Sequence, residues 1–134
     1  WEFRHLAPGI GGSDPKAPSG ATNFLLFYRN AFHWDKRAMA AYPGDYTKAH
    51  LTHFTHSTGS PVGLTVESTK KPLESRIWKF YPGQTTDTTR EGTDSLATRQ
   101  ARILEDGTEQ NTYSQYNSFG KLVSSTDALG RKTT

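Results

Sequence analysis

The chain has 134 residues, enough for one ordinary domain, and 33% of them are hydrophobic. Its 16 Lys and Arg against 13 Asp and Glu give a formal charge of +3. These basic residues are scattered rather than clustered, which argues against a nucleic-acid surface. No apolar run approaches the roughly 18 residues that cross a bilayer, so we expect no membrane span. The absence of Cys excludes disulfide and thiolate chemistry.

Residues 1–22 are rich in Gly and Pro and are predicted to form a loop or linker. The short apolar run at 23–29, NFLLFYR, has the length and composition of a buried strand. Residues 35–42 are the one stretch with good helix formers, and Pro43 and Gly44 follow it. We therefore expect at most one short helix.

From residue 46 onward the pattern is strand and turn. Apolar and β-branched runs are bounded by Gly, Pro, Asn or Asp at the spacing of a meandering antiparallel sheet. The predicted strands are 50–56, 62–69, 75–81, 99–104, 108–116 and 121–126. The polar interval 84–96 is predicted to be an exposed loop. The fold class is all-β, with residues 23–134 forming a segment of antiparallel hairpins that is clearest over 46–134.

Two tetrapeptides near the end of the chain predict tight turns. Residues 117–120 read NSFG and residues 127–130 read DALG, and a basic residue follows each. Asn or Asp at the first position and Gly at the fourth are typical of a type I turn. SPVG at 60–63 has the same form, and YPG occurs at both 42–44 and 81–83. These recurrences indicate repeated two-strand units, although Gly turns recur in any β protein.

At these residues the chain resembles the Rhs, or YD-repeat, family. The family unit has a Tyr-rich strand, then Tyr–Asp/Asn–x–x–Gly–Arg/Lys–Leu, then Asp–x–x–Gly–Arg–x–Thr. Asn117 stands where most units have Asp. Residues 75–84 and 102–108 look similar but less diagnostic, and residues 1–45 show no match. The matching positions are Tyr113, Tyr116, Asn117, Gly120, Lys121, Leu122, Asp127, Gly130, Arg131 and Thr133.

The resemblance implies a fold and a role. YD repeats pair as hairpins and wind into one spiralling sheet that closes as a hollow shell. In bacterial Rhs effectors and insecticidal toxin complexes the shell encloses a C-terminal toxin domain, and a similar shell belongs to teneurins. The chain would be a non-enzymatic wall segment whose partners are the rest of its shell, the toxin domain and a secretion-system or cell-surface partner. It would be secreted or displayed at the cell surface as part of a larger bacterial protein.

The two ends of the chain favour the same interpretation. It opens on Trp1 without an initiator Met, and no signal peptide is visible. Only four residues follow Gly130, too few for a full strand. We expect a fragment of a longer protein, truncated at its C-terminus. The self-cleavage motif of some family members is absent, so the resemblance supplies no protease residues.

Two groups of residues raise the alternative of a metal site. His50, His53 and His56 are spaced by three, but on a strand the middle ring points away from the other two. Asp87, Glu91 and Asp94 lack the ligand spacing of a calcium loop. No GxSxG nucleophile elbow is present. We expect no metal, no cofactor and no catalytic residues, and a hydrolase built on the three histidines is the least favoured hypothesis.

The main rival is a free-standing β-sandwich module that binds carbohydrate or another surface partner. Large aromatic side chains stack on sugar rings when they are exposed, and they pack in cores when they are buried. Trp34, Trp78 and Tyr81 are the candidates for such stacking.

Overall fold

The computed structural model describes residues 2–4, 11–23, 26–56, 63, 65–84 and 88–134. These residues form one sheet of nine strands, and every pairing between neighbouring strands is antiparallel. The strands are β1 (Glu2–Arg4), β2 (Asn30–His33), β3 (His50–Phe54), β4 (Val66–Lys70), β5 (Ile77–Phe80), β6 (Arg99–Ile103), β7 (Glu109–Tyr116), β8 (Leu122–Thr126) and β9 (Lys132–Thr133).

The spatial order of the strands follows the chain from β1 to β9. Each strand therefore hydrogen-bonds to the strand that precedes it in sequence, as short turns between antiparallel strands favour. The all-β fold with one short helix is thus confirmed. None of the helices in the described residues is long and apolar enough to cross a membrane.

Helix α1 (Lys36–Ala41) and a 3₁₀ turn (Tyr46–Lys48) connect β2 to β3. Asp35 caps the helix, and its carboxylate accepts a hydrogen bond from the Ala38 amide at 2.7 Å. All six helical residues lie outside the buried core. The helix ends before Gly44, whose φ of +77° is a left-handed conformation that favours glycine.

One face of the sheet is covered. Loop residues 11–23 and 26–29, which we call the covering loop, make hydrogen bonds to the sheet and to the second loop over residues 81–84 and 88–96, and alternate residues of β3 point toward them. The best-packed part of the core contains Phe32, Trp34, Ala49 and Leu51, with Ala38 and Tyr46 against it. Trp78 and Ala101, a cross-strand pair, continue this buried surface toward the middle of the sheet.

The other face is polar and only partly buried. Thr52 faces Thr69 across β3 and β4, and Gln100 faces Thr112 across β6 and β7. Toward β8 even apolar side chains are exposed, and Leu122 retains 58% of its accessible surface. The core therefore thins from the first strands to the last.

The structure differs from the sequence-based expectations at three places. β1 lies within the predicted loop 1–22, where it pairs with β2. Within the predicted strand 23–29, residues 26–29 form a turn and a bend. Arg29 has a φ of +55°, a left-handed conformation incompatible with a strand, so β2 begins only at Asn30. Residues 24 and 25 lie outside the described part.

The third difference is in the polar interval 84–96. Thr88 and Thr89 are buried rather than exposed. The Thr88 amide donates a hydrogen bond to Thr22 Oγ1 at 2.9 Å, and the Thr22 amide donates one to Thr88 Oγ1 at 2.7 Å. Composition alone does not predict this burial, because it depends on a contact between loops that are far apart in sequence. Of the SPVG turn, only Gly63 lies within the described residues.

Candidate functional site

The first repeat-like turn is built around Asn117. Its Oδ1 accepts hydrogen bonds from the Phe119 amide at 2.9 Å and the Lys121 amide at 3.0 Å. Its carbonyl accepts from the Gly120 amide at 3.0 Å, and its own amide donates to Lys121 at 2.9 Å. Gly120 has a φ of +79°. These are the bonds of a hairpin loop in which a type I turn is followed by a left-handed glycine.

The second turn repeats the first with a charged residue. Asp127 Oδ1 accepts from the Leu129 and Arg131 amides, both at 3.0 Å, and Gly130 has a φ of +82°. Arg131 Nε also donates to Asp127 Oδ2 at 2.7 Å. The backbone bond from Arg131 is the main cause that holds the pKa of Asp127 below its usual range.

A third turn has the same backbone form without the motif. Between β6 and β7, Leu104 accepts from Gly107 at 3.0 Å and donates to Thr108 at 2.9 Å. Here Asp106, rather than the first residue, accepts the side-chain bond from the Thr108 amide at 2.8 Å. Three hairpins between β6 and β9 therefore share one loop geometry, and two of them share the motif.

The two Tyr–Pro–Gly turns also match each other. The carbonyls of Tyr42 and Tyr81 accept bonds from Asp45 and Gln84, three residues on, at 3.2 and 3.5 Å. However, the first follows helix α1 and the second follows β5. They are similar local turns in unlike surroundings, so the interval between them does not mark a repeat of strands.

The remaining motif residues lie on the strands. Tyr113 faces Thr126, Tyr116 faces Leu122, and Thr133 faces Ser125. Tyr113 keeps 47% of its surface exposed. The turns of Asn117 and Asp127 lie at opposite ends of β8, so the motif residues do not converge on a single pocket. Their arrangement builds hairpins, and it aims no cluster of reactive groups at a shared point.

A second set of residues lies under the covering loop, and the sequence analysis named only His53 among them. We call Arg29, Asn30, His53 and Glu67 the buried charge cluster. His53 Nε2 lies 3.1 Å from Glu67 Oε2, and Arg29 lies 3.7 Å from the same oxygen. His53 Nδ1 lies 3.1 Å from Asn30 Oδ1. His53, Glu67 and Asn30 have no measurable exposure, so the cluster is closed to any substrate in this conformation.

Arg76 links this cluster to the loop. Its Nη1 donates to Ser68 at 2.9 Å, and its Nε lies 3.4 Å from Asp14 Oδ2. Burial lowers the pKa of Arg76, while the charges of Asp14 and Glu67 raise it. Because Asp14 lies on the covering loop, this ion pair joins the loop to the residue that precedes β5, and the bond from Arg76 to Ser68 extends the link to β4.

Further along the sheet, Ser19 and Glu109 form a second fastening, which we call the loop latch. The Ser19 amide and hydroxyl both donate to the Glu109 carboxylate, at 2.5 and 3.0 Å. Arg99 donates to the Ser19 carbonyl at 3.1 Å and lies 3.4 Å from Glu109. Desolvation acts to raise the pKa of Glu109, but the bonds from Ser19, Asn111 and Arg99 outweigh it and lower that pKa.

The three histidines contact different partners. His50 stacks edge-on with His33 across β2 and β3, with ring centroids 6.0 Å apart, while His53 is buried with Glu67. His56 Nε2 lies 3.1 Å from Thr89 Oγ1. Of the three acidic residues considered and rejected as calcium ligands, Asp94 accepts a bond from the Leu96 amide, Glu91 lies beside Gly63, and Asp87 lies outside the described residues. Within the described part of the chain, no three His, Asp or Glu side chains are placed to hold a metal ion.

The candidate sugar-stacking residues are all buried. Trp34 Nε1 donates to the Asp45 carbonyl at 3.0 Å, and the Tyr81 hydroxyl donates to Val66 at 2.6 Å. Burial raises the pKa of Tyr81. Trp78 lies in the centre of the covered face. None of the three offers its ring to a ligand, so stacking on these residues is excluded for this conformation.

Comparison with known proteins gives no relative. No family model, curated protein or solved structure matches the chain.

Proposed function

We propose that the chain is a non-enzymatic wall segment of a YD-repeat shell, which would enclose a C-terminal toxin domain in the full-length protein. The observation that carries this proposal is the pair of Asx–x–x–Gly–basic turns around Asn117 and Asp127. They have the same hydrogen bonds and join successive hairpins of one sheet. A repeated hairpin unit is what a wall assembled from repeats requires.

The distribution of burial supports the proposal. The core is well packed beside α1 and thins toward β7, β8 and β9, where Tyr113, Leu122 and Val123 are exposed. In repeat proteins each unit leaves surface that its neighbour covers. Strands of this kind gain stability from adjoining units, which in this proposal are the rest of the shell.

The polar face of the sheet, opposite the covered one, supports the same role. Its cross-strand pairs include Thr with Thr and Gln with Thr, side chains that tolerate water on a sheet surface. A shell wall contacts solvent or cargo on a broad area without binding any one small ligand. Its partners would be the toxin domain, the remaining shell and a secretion-system or cell-surface protein, in a secreted or surface-displayed bacterial protein.

A free-standing binding module is the second candidate. The core around Phe32, Leu51 and Trp34, beside loop residues 11–23 and 26–29, favours it, because such a core belongs to a domain that folds alone. The burial of Trp34, Trp78 and Tyr81 counts against sugar stacking as its activity.

Electron microscopy of the natural full-length gene product tests the proposal. A wall segment predicts hollow particles with density enclosed inside. A solid particle without an internal space would contradict the wall proposal. Such a particle, together with saturable binding of the chain on a glycan array, would support the free-standing binding module.

A further inference from the structure

A groove, which we call the hairpin groove, opens at one end of the sheet between two neighbouring hairpins. Residues 70 and 73–76 form one wall, residues 102, 104 and 105 form the other, and residues 14 and 16 of the covering loop lie beside them. Its volume is about 460 Å³. It adjoins a second cavity of about 300 Å³, lined in part by Tyr46 and Leu51, through the shared residues Asp14, Lys70 and Arg76. A ligand that occupies both cavities is therefore longer than a single small ion.

The hairpin groove exists because β5 and β6 separate before β6 ends. The ladder between them stops at the pair of Trp78 and Ala101. In contrast, β6 stays paired with β7 as far as Ile103 and Glu109. Beyond Ala101, the edge of β6 that faces β5 thus has no strand paired to it among the described residues. An unpaired edge is where an extended peptide adds as a strand, through main-chain hydrogen bonds.

The less exposed charges of the hairpin groove are basic on balance. Lys16 and Lys70 are half-buried and Arg76 is buried. Arg76 already has a carboxylate partner, Asp14 Oδ2 at 3.4 Å. The Lys70 ammonium donates only to the Lys71 carbonyl, at 3.4 Å, and the Lys16 ammonium makes no hydrogen bond or ion pair within the described part of the chain. Two ammonium groups are therefore available to the carboxylates of a ligand.

The remaining charges lie at the rim. Glu74 and Glu105 are exposed, and so is Arg102, whose Nε donates to Gln110 at 2.8 Å. Exposed charges are screened by water and salt and contribute little to binding. A half-buried ammonium interacts more strongly with an opposite charge, because less water surrounds it. The two lysines therefore decide the sign of the ligand, which is negative.

Leu73 lines the hairpin groove in an unfavourable conformation. Its φ of +64° is left-handed, where glycine or asparagine is ordinary, and its side chain is 97% exposed. The turn that holds it closes with a hydrogen bond from the Glu74 amide to the Lys71 carbonyl at 3.2 Å. A strained and exposed leucine lowers stability, and such an outlier indicates a role in binding. Leu104, which is half-buried, lines the opposite wall.

We propose that the hairpin groove is a docking site for an extended acidic segment of a partner protein. Carboxylates of that segment meet Lys16 and Lys70, an apolar side chain packs against Leu73 and Leu104, and the backbone follows the unpaired edge of β6. A small anion uses the charges alone, and a nucleic acid requires a clustered basic surface that this chain lacks. The site is independent of the wall proposal, since no repeat-motif residue takes part in it.

Titration of the full chain with a blocked peptide of alternating Glu and Val, about eight residues long, tests the proposal. Backbone amide shifts in NMR spectra should change and saturate in residues 14–16, 70–76 and 102–105. Lys16→Gln and Lys70→Gln should each weaken binding about fivefold. Lys132→Gln, on β9, removes the same charge outside the groove and should bind the peptide as the parent chain does.

Leu73→Gly separates binding from folding. Glycine accepts the left-handed conformation, so the urea midpoint of this variant should be no lower than that of the parent chain. The acidic peptide should nevertheless bind it more weakly, because the apolar contact is lost. A variant that binds the peptide as tightly as the parent chain would exclude Leu73 from the site.

Matched probes distinguish the classes of ligand. A peptide of alternating Lys and Val should cause no shifts in the hairpin groove, and inorganic phosphate or a heparin oligosaccharide should bind there less tightly than the acidic peptide. Three results overturn the proposal: tighter binding of phosphate or heparin than of the acidic peptide, shifts confined to the outer edge of β9, or no saturable shift with the acidic peptide.

Discussion

Asp127 makes the contacts that Asn117 makes ten residues earlier. In both turns Oδ1 accepts bonds from the amides two and four residues on, at 2.9–3.0 Å. In both, the backbone carbonyl accepts a bond from the glycine amide at 3.0 Å. An amide and a carboxylate thus have the same structural role, because each offers an acceptor oxygen at the same place. Asn at position 117, in place of the usual Asp of the motif, therefore leaves the geometry of the turn unchanged.

Replacing Asn117 by Ala should destabilise the β7–β8 hairpin. The variant loses two side-chain hydrogen bonds, which we expect to lower the free energy of unfolding by about 1 kcal/mol. Urea denaturation followed by circular dichroism measures the change. Asn117→Asp should retain most of the stability, and Ser118→Ala is the neighbouring control. Equal stability of Asn117→Ala and the parent chain would show that the turn does not depend on this side chain.

Replacing Gly130 by Ala tests the left-handed backbone. Gly130 has a φ of +82°, and apart from its two chain neighbours no atom of the described residues lies within 4 Å of the position a Cβ would occupy. The cost is therefore one of backbone conformation alone, about 1 kcal/mol in the free energy of unfolding. Gly130→Asn should cost less, because Asn tolerates this conformation better. The same urea denaturation assay measures both variants. A Gly130→Ala variant as stable as the parent chain would contradict the assigned turn.

Replacing Trp78 by Ala should lower the free energy of unfolding far more than replacing Phe119 by Ala. Trp78 is 1% exposed and Phe119 is 88% exposed. We expect Trp78→Ala to lower the free energy of unfolding by about 3–5 kcal/mol. Phe119→Ala should lie within about 0.5 kcal/mol of the parent. Thermal melts of both variants make the comparison, and similar melting temperatures would place the core elsewhere.

Glu109→Gln should weaken the loop latch at neutral pH. The bonds from Ser19, Asn111 and Arg99 lower the pKa of Glu109, so its contribution is present above the unfolded value near 4.3. That contribution is lost as the pH falls through the lower folded pKa. The variant should show a flatter acid limb in its stability profile and faster amide exchange in residues 11–23. Glu105→Gln, in an exposed turn, is the control and should leave both unchanged.

Sequence patterns predicted most of the strands because a strand is set locally. The runs around Leu51, Trp78 and Tyr113 gave strands where alternation and turn residues agreed. The turns at Asn117 and Asp127 were predictable for the same reason, since Asx and Gly act within four residues. The short helix was anticipated from its Ala-rich composition.

The parts that sequence missed depend on contacts between distant residues. Nothing near Glu67 or His53 indicates that they meet Arg29 in a buried cluster, and a glutamate on a strand normally suggests an exposed face. The one available signal was the alternation of β3, which places His53 on the same face as Leu51. Strand β1 was not predicted because three residues are too few to show an alternation of apolar and polar side chains. Its strand conformation depends on its pairing with β2.

A cryo-electron microscopy map of the natural full-length gene product, resolved at the level of strands, tests the wall proposal most directly. The account predicts that β1 to β9 appear as one continuous meander and that a further strand hydrogen-bonds to the outer edge of β9. That strand should follow another Asx–x–x–Gly turn, and one face of the sheet should border an enclosed space. A map in which the outer edge of β9 faces solvent and this sheet packs as a separate domain would contradict the account.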